Sequence, residues 1–538
     1  MTLKNVDIAI FRATPAGIIA AVAAARLGFS VTIVESGPQV GGMMTSGLNA
    51  TDAVGKSWIT GVSREFFIRA RMHYGTHFLP SRIESKVAGA IFRTMLDEAG
   101  VEVLRDTRIE EVRRSGRTIS QARLSDGTVL AADWWMDASY EGDLMAMAFV
   151  SYRLGRESRD EFDEPWAGRQ RSRSLLPWGG GRRISPKVGD SFRPWVDPPS
   201  NLPLGSADRR VQSYCIRPTL TNINVPHLRV PIERPEDFDF SAFDIFRELA
   251  RDLGSAAVRS TWHRNMGTTF KSAYFNLAEL PNGKWDMNSG PLAPINNPAL
   301  TDGWAEASHE TRAGMTEAFR RYTQAILWFI QNDPAVPVAV RAFFSDFGLP
   351  GDEYTDSGHL PPEVYVREGR RLMGENTFTQ HHVEGGGVGK DEEVCEGRYF
   401  LDCKPVSWMA NREMTNVVRE GMFMSGGEPL RYSIPAWVML PRRGDTTNFF
   451  ALCGVSASHV AFGSFRMEPI WMELGNVAPI IAWIAGQRGC LPHEVDPAAV
   501  RRVREQRFTH LFENDLTPSD FVSQGQGGTH GSKASTPA

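Results

Sequence analysis

The chain has 538 residues, 42% of them hydrophobic and 23% charged, a balance that builds a globular protein with a sizeable core and excludes a single small domain. Its 59 Lys and Arg stand against 63 Asp and Glu, for a net charge of -4, which exerts no general pull toward nucleic acid or an acidic membrane. The five cysteines, Cys215, Cys395, Cys403, Cys453 and Cys490, are scattered without a CxxC pair, and indicate neither a disulfide framework nor a zinc ribbon.

The first residues, MTLKNVDIAIF, carry no basic, long-apolar and small-residue leader pattern, so a cytoplasmic protein is expected. The longest apolar stretches, 18–25 and 477–485, fall short of the ~20 residues that span a bilayer, and no membrane insertion is expected. VDIAIF (6–11) reads as a buried strand, GIIAAVAAARLG (17–28) as a close-packing helix and SVTIVE (30–35) as a second strand. Together they make a βαβ unit opening a Rossmann-like α/β fold.

Next comes an ordered loop of small residues at 39–52, then a helix over 86–100 and strands near 101–104, 109–112 and 129–135. The composition shifts to Arg, Pro, Gly and Ser over 156–210, which reads as an irregular connection. An α+β substrate or cap domain is expected over 211–400, with a helix near 306–332. Strand character returns at 449–455, a helix is expected near 475–486, and the polar tail 523–538 reads as disordered. The predicted division is a nucleotide-binding part at 1–155, the connection, the inserted domain, and a second nucleotide-binding part at 401–515.

The turn between the first two strands holds the position of a phosphate-cradling GxGxxG. Aligned on Gly17, it places Arg12 and Thr14 at the other two glycine sites. Gly17 keeps the position that lets helix pack on strand, while the phosphate-approach positions are altered. Glu35, 18 residues further on, stands where an acidic side chain accepts from ribose hydroxyls.

ATPAGIIAAVAAARLGFSVTIVES followed by GGMMTSGLNATD (41–52) resembles the FAD-dependent oxidoreductases of the glutathione-reductase-like superfamily, in particular a bacterial group often called xanthan lyases. MDASYEGDLMAMAFVSYRLGRES (136–158), PNGKWDMNS (281–289), LPPEVYVREGRRLMGENTFTQHHV (360–383) and SASHVAFGSFRMEPIWMELGNVA (456–478) look like that family's blocks, in its order, across roughly 1–500. The resemblance implies FAD as cofactor. It implies contacts from the turn Arg12, Thr14, Pro15, Ala16 and Gly17, from Glu35 and Ser36, and from the loop Gly41, Gly42 and Met43. It also implies a return of the chain at Asp137 and Ala138, a late segment from Gly454 to Phe462 beside the flavin, and a helix after Gly475 aimed at the flavin's pyrimidine edge. The sequence departs from the family at Arg12 and Ala13, at Val455 and at Pro479. Arg12 either pairs with the pyrophosphate or fills its place, and the second case describes a flavin fold that has lost FAD and works as a binding subunit or non-redox enzyme.

Flavin oxidoreductases take a hydride from a C–H next to oxygen or nitrogen and often need a base for the accompanying proton. His459, in the late segment, is the first candidate and His382 the second, with His381 beside it; the plainer role for His459 is orienting its loop. Arg466, and one of Arg367, Arg370 and Arg371, is a candidate clamp for an anionic or hydroxylated substrate, the alternative being structural ion pairs with Glu363 or Glu368. Lys284, Asp286 and Asn288 alternate on one face and form either a polar substrate wall or a domain contact. No metal site is indicated, because the adjacent His381 and His382 lack the i, i+4 spacing of a zinc helix. Ser456 and Ser458 sit in no GxSxG elbow, and nothing in these residues supports a lyase. A small-molecule substrate is the expected partner.

Overall fold

The computed structural model describes residues 2–54, 58–176, 183–251, 258–263 and 266–508; the expected disordered tail lies outside them. The N-terminal unit forms as read. Strand β1 (Leu3–Phe11) leads through Thr14, whose side chain caps the next helix, into α1 (Pro15–Arg26) and then β2 (Val31–Val34). Pro15 at the first helical position gives up no hydrogen bond, because that N–H has no partner inside a helix. Residues Pro15 through Ala24 of α1 are all buried, which requires small side chains on every face.

The main sheet has seven strands. Strands β3 (Glu102–Leu104), β2, β1 and β6 (Val129–Asp137) run parallel, and β5 (Thr118–Leu124) and β4 (Ile109–Ser115) follow antiparallel beyond β6. Strand Phe449–Ala451 joins parallel to the end of β6 through the pairs Phe449–Trp135 and Ala451–Asp137. Residues more than three hundred positions from β6 in sequence thus complete the first sheet. β5 is absent from the sequence expectations: TISQARL alternates with too few large apolar residues to stand out.

The late helix begins at Glu468 and runs to Arg488, seven residues before the expected start at Gly475. Gly475 therefore lies inside the helix. A Cβ there would collide with the Ala16 carbonyl oxygen, so this glycine lets the late helix press against α1. Gly17 does the same on the other side of α1, where a Cβ would collide with Arg12 O and approach Ala138 Cβ at 3.0 Å. Pro479 sits within the late helix, and all of that helix from Glu468 to Ala482 is buried.

A second, antiparallel sheet of five strands lies in the middle of the chain, ordered Thr219–Thr221, Lys284–Ser289, Phe275–Leu280, Gly267–Lys271 and Arg259–His263. The helix His309–Asn332 starts at Ser308, whose hydroxyl accepts from Thr311 N, and it runs close to the expected 306–332.

Candidate functional site

Strands β1, β2 and β6 end on one edge of the sheet, where the chain turns to opposite sides, the place where open α/β folds bind ligands. A cavity of about 500 Å³ lies there, lined by Arg12, Ser36, Gly37, Arg108, Tyr140, Glu141, Glu363 and Arg370, with Arg312 and Thr316 of the His309 helix on the far side. Arg12, Ser36 and Arg370 are the sequence-nominated residues that line it. The Arg108 side chain has no carboxylate partner among the described residues.

Arg12 holds φ +75°, a left-handed conformation that glycine adopts freely and other residues at a cost of about 1–2 kcal/mol. Its guanidinium spans three partners: Glu35 Oε2 at 3.2 Å, Ser36 Oγ at 3.0 Å and Glu363 Oε1 at 3.2 Å. Glu35 is 2% exposed and already accepts from Ala13 N at 2.7 Å and Gly37 N at 2.8 Å. The cavity is therefore met by the arginine fork, with Glu35 behind it as the anchor of the turn.

Thr14, Pro15, Ala16 and Gly17 build that turn. Thr14 Oγ1 donates to Ala138 O at 2.9 Å and accepts from Gly17 N at 3.3 Å, tying the start of α1 to the end of β6. Asp137 accepts from Ser139 N, Ser139 Oγ and Met145 N at 2.9, 2.6 and 2.9 Å, and burial pushes its pKa up to about 6. Its carboxyl thus shapes the return of the chain. Gly41 and Gly42 hold φ +109° and +48°, and a Cβ on Gly42 would sit 3.1 Å from Pro15 Cδ and 3.2 Å from Thr14 Cα. Only glycine brings this loop so close to the head of α1.

Past Gly42 the polar groups are enclosed. Met43 N donates to Tyr140 Oη at 3.0 Å, and Tyr140 Oη donates to Glu468 Oε1 at 2.6 Å. Burial pushes the Glu468 carboxyl up to about 8, so it is mostly protonated at neutral pH. Glu468 Oε2 and the neighbouring Trp471 Nε1 are buried without a hydrogen-bond partner. Gly454 is packed against Arg370 O, where a Cβ would lie at 2.7 Å; it is a close-approach position.

His459 opens the helix His459–Phe465 and is 1% exposed. Its Nδ1 meets Glu368 Oε2 at 2.9 Å, and its Nε2 faces Cys403 Sγ at 3.5 Å. Burial opposes the charged ring, but the Glu368 carboxylate outweighs it and pushes the His459 pKa up to about 10. Glu368 thus favours the charged ring, which suits the orienting role read from the sequence more than that of a general base. Arg371 pairs with Glu368 and with Glu157, the latter at 2.6 Å. Next to Cys403 in sequence, Asp402 accepts from Arg466 Nη2 at 2.8 Å, and Arg466 Nη1 donates to Tyr365 Oη at 3.1 Å. Despite its burial, Asp402 is held below its ordinary pKa by Lys404 and Arg466. Arg367 lies over the Tyr365 ring at 4.3 Å. Arg367 Nε and Arg466 Nε are buried donors without a hydrogen-bond partner.

The structure thus places His459 and Arg466 in one buried side-chain cluster, reached through the neighbours Cys403 and Asp402, and leaves His382 outside it. His382 Nδ1 accepts from Thr379 N at 3.1 Å, capping the helix Gln380–Glu384, while its ring stacks on Phe378; His381 meets Asp163 O at 2.8 Å. Burial pushes the His382 pKa down. Lys284 binds Glu84 and Glu353, and Asp286 binds Arg217 and the amides of Asn49 and Ala50, so these two tie the middle sheet to the N-terminal segment. The sequence reading names Glu368 only as an ion-pair partner for the arginines of its own segment, which it is for Arg371; its contact with His459, and the places of Asp402, Cys403 and Tyr365, escaped it. YVREGRR and LDCK carry the relevant residue types, but their pairing with His459 and Arg466 is a product of the fold.

The family described as FAD dependent oxidoreductase matches residues 7–506. The chain belongs to this family. As an FAD dependent oxidoreductase it is an enzyme, with FAD as its cofactor, and the Rossmann-like reading of the sheet agrees. Solved structures it resembles include Thermovibrio ammonificans THI4, 19% identical over 28% of this chain and 66% of that one, with a TM-score of 0.22. NikD, an unusual amino acid oxidase, is 13% identical over 29% and 56%, with a TM-score of 0.21. A flavin-containing monooxygenase from Stenotrophomonas maltophilia is 14% identical over 30% and 44%, with a TM-score of 0.20. The matches cover two thirds or less of each of these structures and bear on no activity. No curated protein sequence matches the chain.

The residues present fit this family's cofactor. Its nucleotide half needs a cavity at the strand ends with a cation for phosphate, which Arg12 and Arg108 supply. Beyond that cavity, Trp471 Nε1, Arg367 Nε and Arg466 Nε are buried donors without a hydrogen-bond partner. Burying a donor unpaired costs about 1–3 kcal/mol, which a bound oxygen or nitrogen acceptor recovers. Among the described residues no helix is long and apolar enough to cross a membrane.

Proposed function

We propose that this flavoenzyme oxidises a small organic substrate at a C–H bond next to oxygen or nitrogen, beside the buried cluster around His459. The observation that carries the reading is the His459 ring held by Glu368 and linked through Cys403, Asp402 and Tyr365 to Arg466 and Arg367, whose buried Nε atoms have no hydrogen-bond partner. Bound FAD supplies the hydride acceptor. Around it the chain provides fixed positive charge, which stabilises negative charge as it develops and needs no reorganisation to do so. With a proton on both Nδ1 and Nε2, His459 takes none from the substrate, whose own O–H or N–H proton leaves with the product to solvent. Arg367 and Arg466 orient acceptor groups through their open donors, and Tyr365 Oη and Asp402 hold Arg466 in place. Enclosure excludes water and strengthens each of these interactions.

At the nucleotide end we assign Arg12 the pyrophosphate and Ser36 the adenosine side of the cavity, with Glu35 as their support. Arg12→Glu reverses the charge beside Glu35 and Glu363. It is expected to weaken FAD binding by about 10–100-fold, some 1.4–2.8 kcal/mol, while Arg12→Lys loses less because it keeps the charge without the fork. Titration of FAD into flavin-stripped protein, followed by flavin fluorescence, measures this; equal affinity for wild type and Arg12→Glu would remove Arg12 from the site. We assign residues 1–155 and 401–515 to one nucleotide-binding body and 211–400 to the inserted body, joined by the connection over 156–210. The joining of Phe449–Ala451 to β6 supports that division. The unpaired cysteines suit a reducing, cytoplasmic setting.

A further inference from the structure

A second cavity, of about 240 Å³, lies on the far side of the segment that carries Asp402 and Cys403. Cys403 contacts His459 and Asp402 accepts from Arg466, and the next two residues, Lys404 and Pro405, line this cavity. Its walls are mainly apolar: Ile245, Phe246, Leu249, Pro294, Trp408 and Met422.

The charged residues lining it are both cations, Lys404 and Arg419. Lys404 is spoken for, with both oxygens of Asp402 at 3.1 and 3.0 Å. Arg419 is not. Its Nη1 reaches only Met422 Sδ, at 2.9 Å, its buried Nε has no partner, and no carboxylate among the described residues forms an ion pair with it. The residue opposite it in the neighbouring strand is Arg173, another cation. Burial and Arg173 together push the Arg419 pKa down, the response of a cation that lacks a counter-charge. Independently, Asn296 lines the same cavity, is 7% exposed, and has an unpartnered Oδ1. A half-buried guanidinium without an anion and a buried amide without a partner, at the polar margin of an apolar pocket, form an incomplete recognition site.

We infer that this cavity binds a compact organic carboxylate, its apolar body between Phe246, Leu249 and Trp408 and its carboxylate on Arg419, while Asn296 Oδ1 is open to accept from a hydroxyl or amine donor on the same molecule. Arginine's fork matches a carboxylate in two parallel hydrogen bonds. The volume falls just under the ~300 Å³ at the lower end of typical ligand sites, which selects a molecule of about one ring and a short chain. As a carboxylate site the pocket stands independently of the function proposed above.

The test is equilibrium dialysis of the full, flavin-loaded chain against 3-phenylpropionate, its uncharged amide 3-phenylpropanamide, and acetate. The acid is expected to bind at least about tenfold tighter than either control, since the amide lacks the charge and acetate lacks the apolar body. Arg419→Gln is expected to weaken the acid by at least about tenfold and leave the amide unchanged, with flavin content and melting temperature as folding controls. The comparison of acid with amide needs no variant, so it decides even if Arg419→Gln misfolds. Equal binding of acid and amide, no binding of the acid, or full acid affinity in a folded Arg419→Gln would each overturn the inference. Flavin-loaded protein that ignores the acid sinks this site and leaves the oxidative reading standing, whereas acid binding by a chain that takes up no FAD does the reverse.

Discussion

Replacing His459 with glutamine is expected to cut turnover by about 10²–10³-fold, the usual loss when one preorganised charge or donor is removed from a reacting site, while FAD stays bound. The variant keeps a hydrogen-bonding side chain but leaves Glu368 to Arg371 alone. Breaking a buried pair by removing one partner costs about 3–5 kcal/mol, so stability falls as well, and pH separates the two effects. The folded His459 pKa of about 10 lies above its ordinary value. Its contribution to stability is therefore complete below about pH 6.5, declines above it, and is lost as pH rises through about 10. Thermal melts of wild type at pH 6, 8 and 10 should show that decline, and His459→Gln should show a smaller one. Equal slopes would mean that the ring is neutral in the folded protein and would return it to the role of a base.

A large loss of stability is also expected at Gly475→Val. Any side chain there meets the Ala16 carbonyl, and backbone cannot swing aside as a flexible side chain does. Overpacking typically costs 1–3 kcal/mol and occasionally more; a backbone collision between the buried stretches of two helices belongs at the upper end, about 3 kcal/mol or above. At about 2–4 °C per kcal/mol for larger domains, the melting temperature should fall by roughly 6–12 °C. Because the collision displaces the head of α1 and with it the Arg12 turn, flavin retention should fall too. Gly486→Ala is the control. It lies in the same helix with nothing within 4 Å of its Cβ position, and should be neutral or stabilising by up to about 1 kcal/mol. Similar losses at both positions would show that helix propensity, and not contact with α1, governs the late helix.

The contrast between these two glycines explains what a reading of residues captures. The βαβ unit was legible because VDIAIF, the alanine-rich run and SVTIVE each carry their own local pattern, and Gly17 follows from that pattern. At Gly475 the glycine was taken for a helix start, although the stronger local signals lay earlier, in Glu468 in the first turn and Pro469 beside it. What Gly475 does depends on Ala16, more than four hundred residues away. The cluster around His459 follows the same logic. SASHVAFGS placed His459 in the interior, but the protonation of its ring is set by Glu368, 91 residues earlier in the chain, and no spacing rule connects the two. His382 looked equivalent as a residue type; a capping contact with Thr379, only three positions away, gives it a structural task. Arg12 stood out as a departure from glycine, and its left-handed backbone shows that the turn kept the glycine-like geometry while acquiring a cation.

The central claim is that the strand-end cavity holds FAD with Arg12 at its phosphates and with the flavin end directed to the His459 cluster. The most direct measurement is the visible absorption spectrum of the purified full chain, before and after incubation with FAD and removal of the excess. The account predicts flavin bands near one FAD per chain. A chain that shows no flavin and takes up none would contradict it.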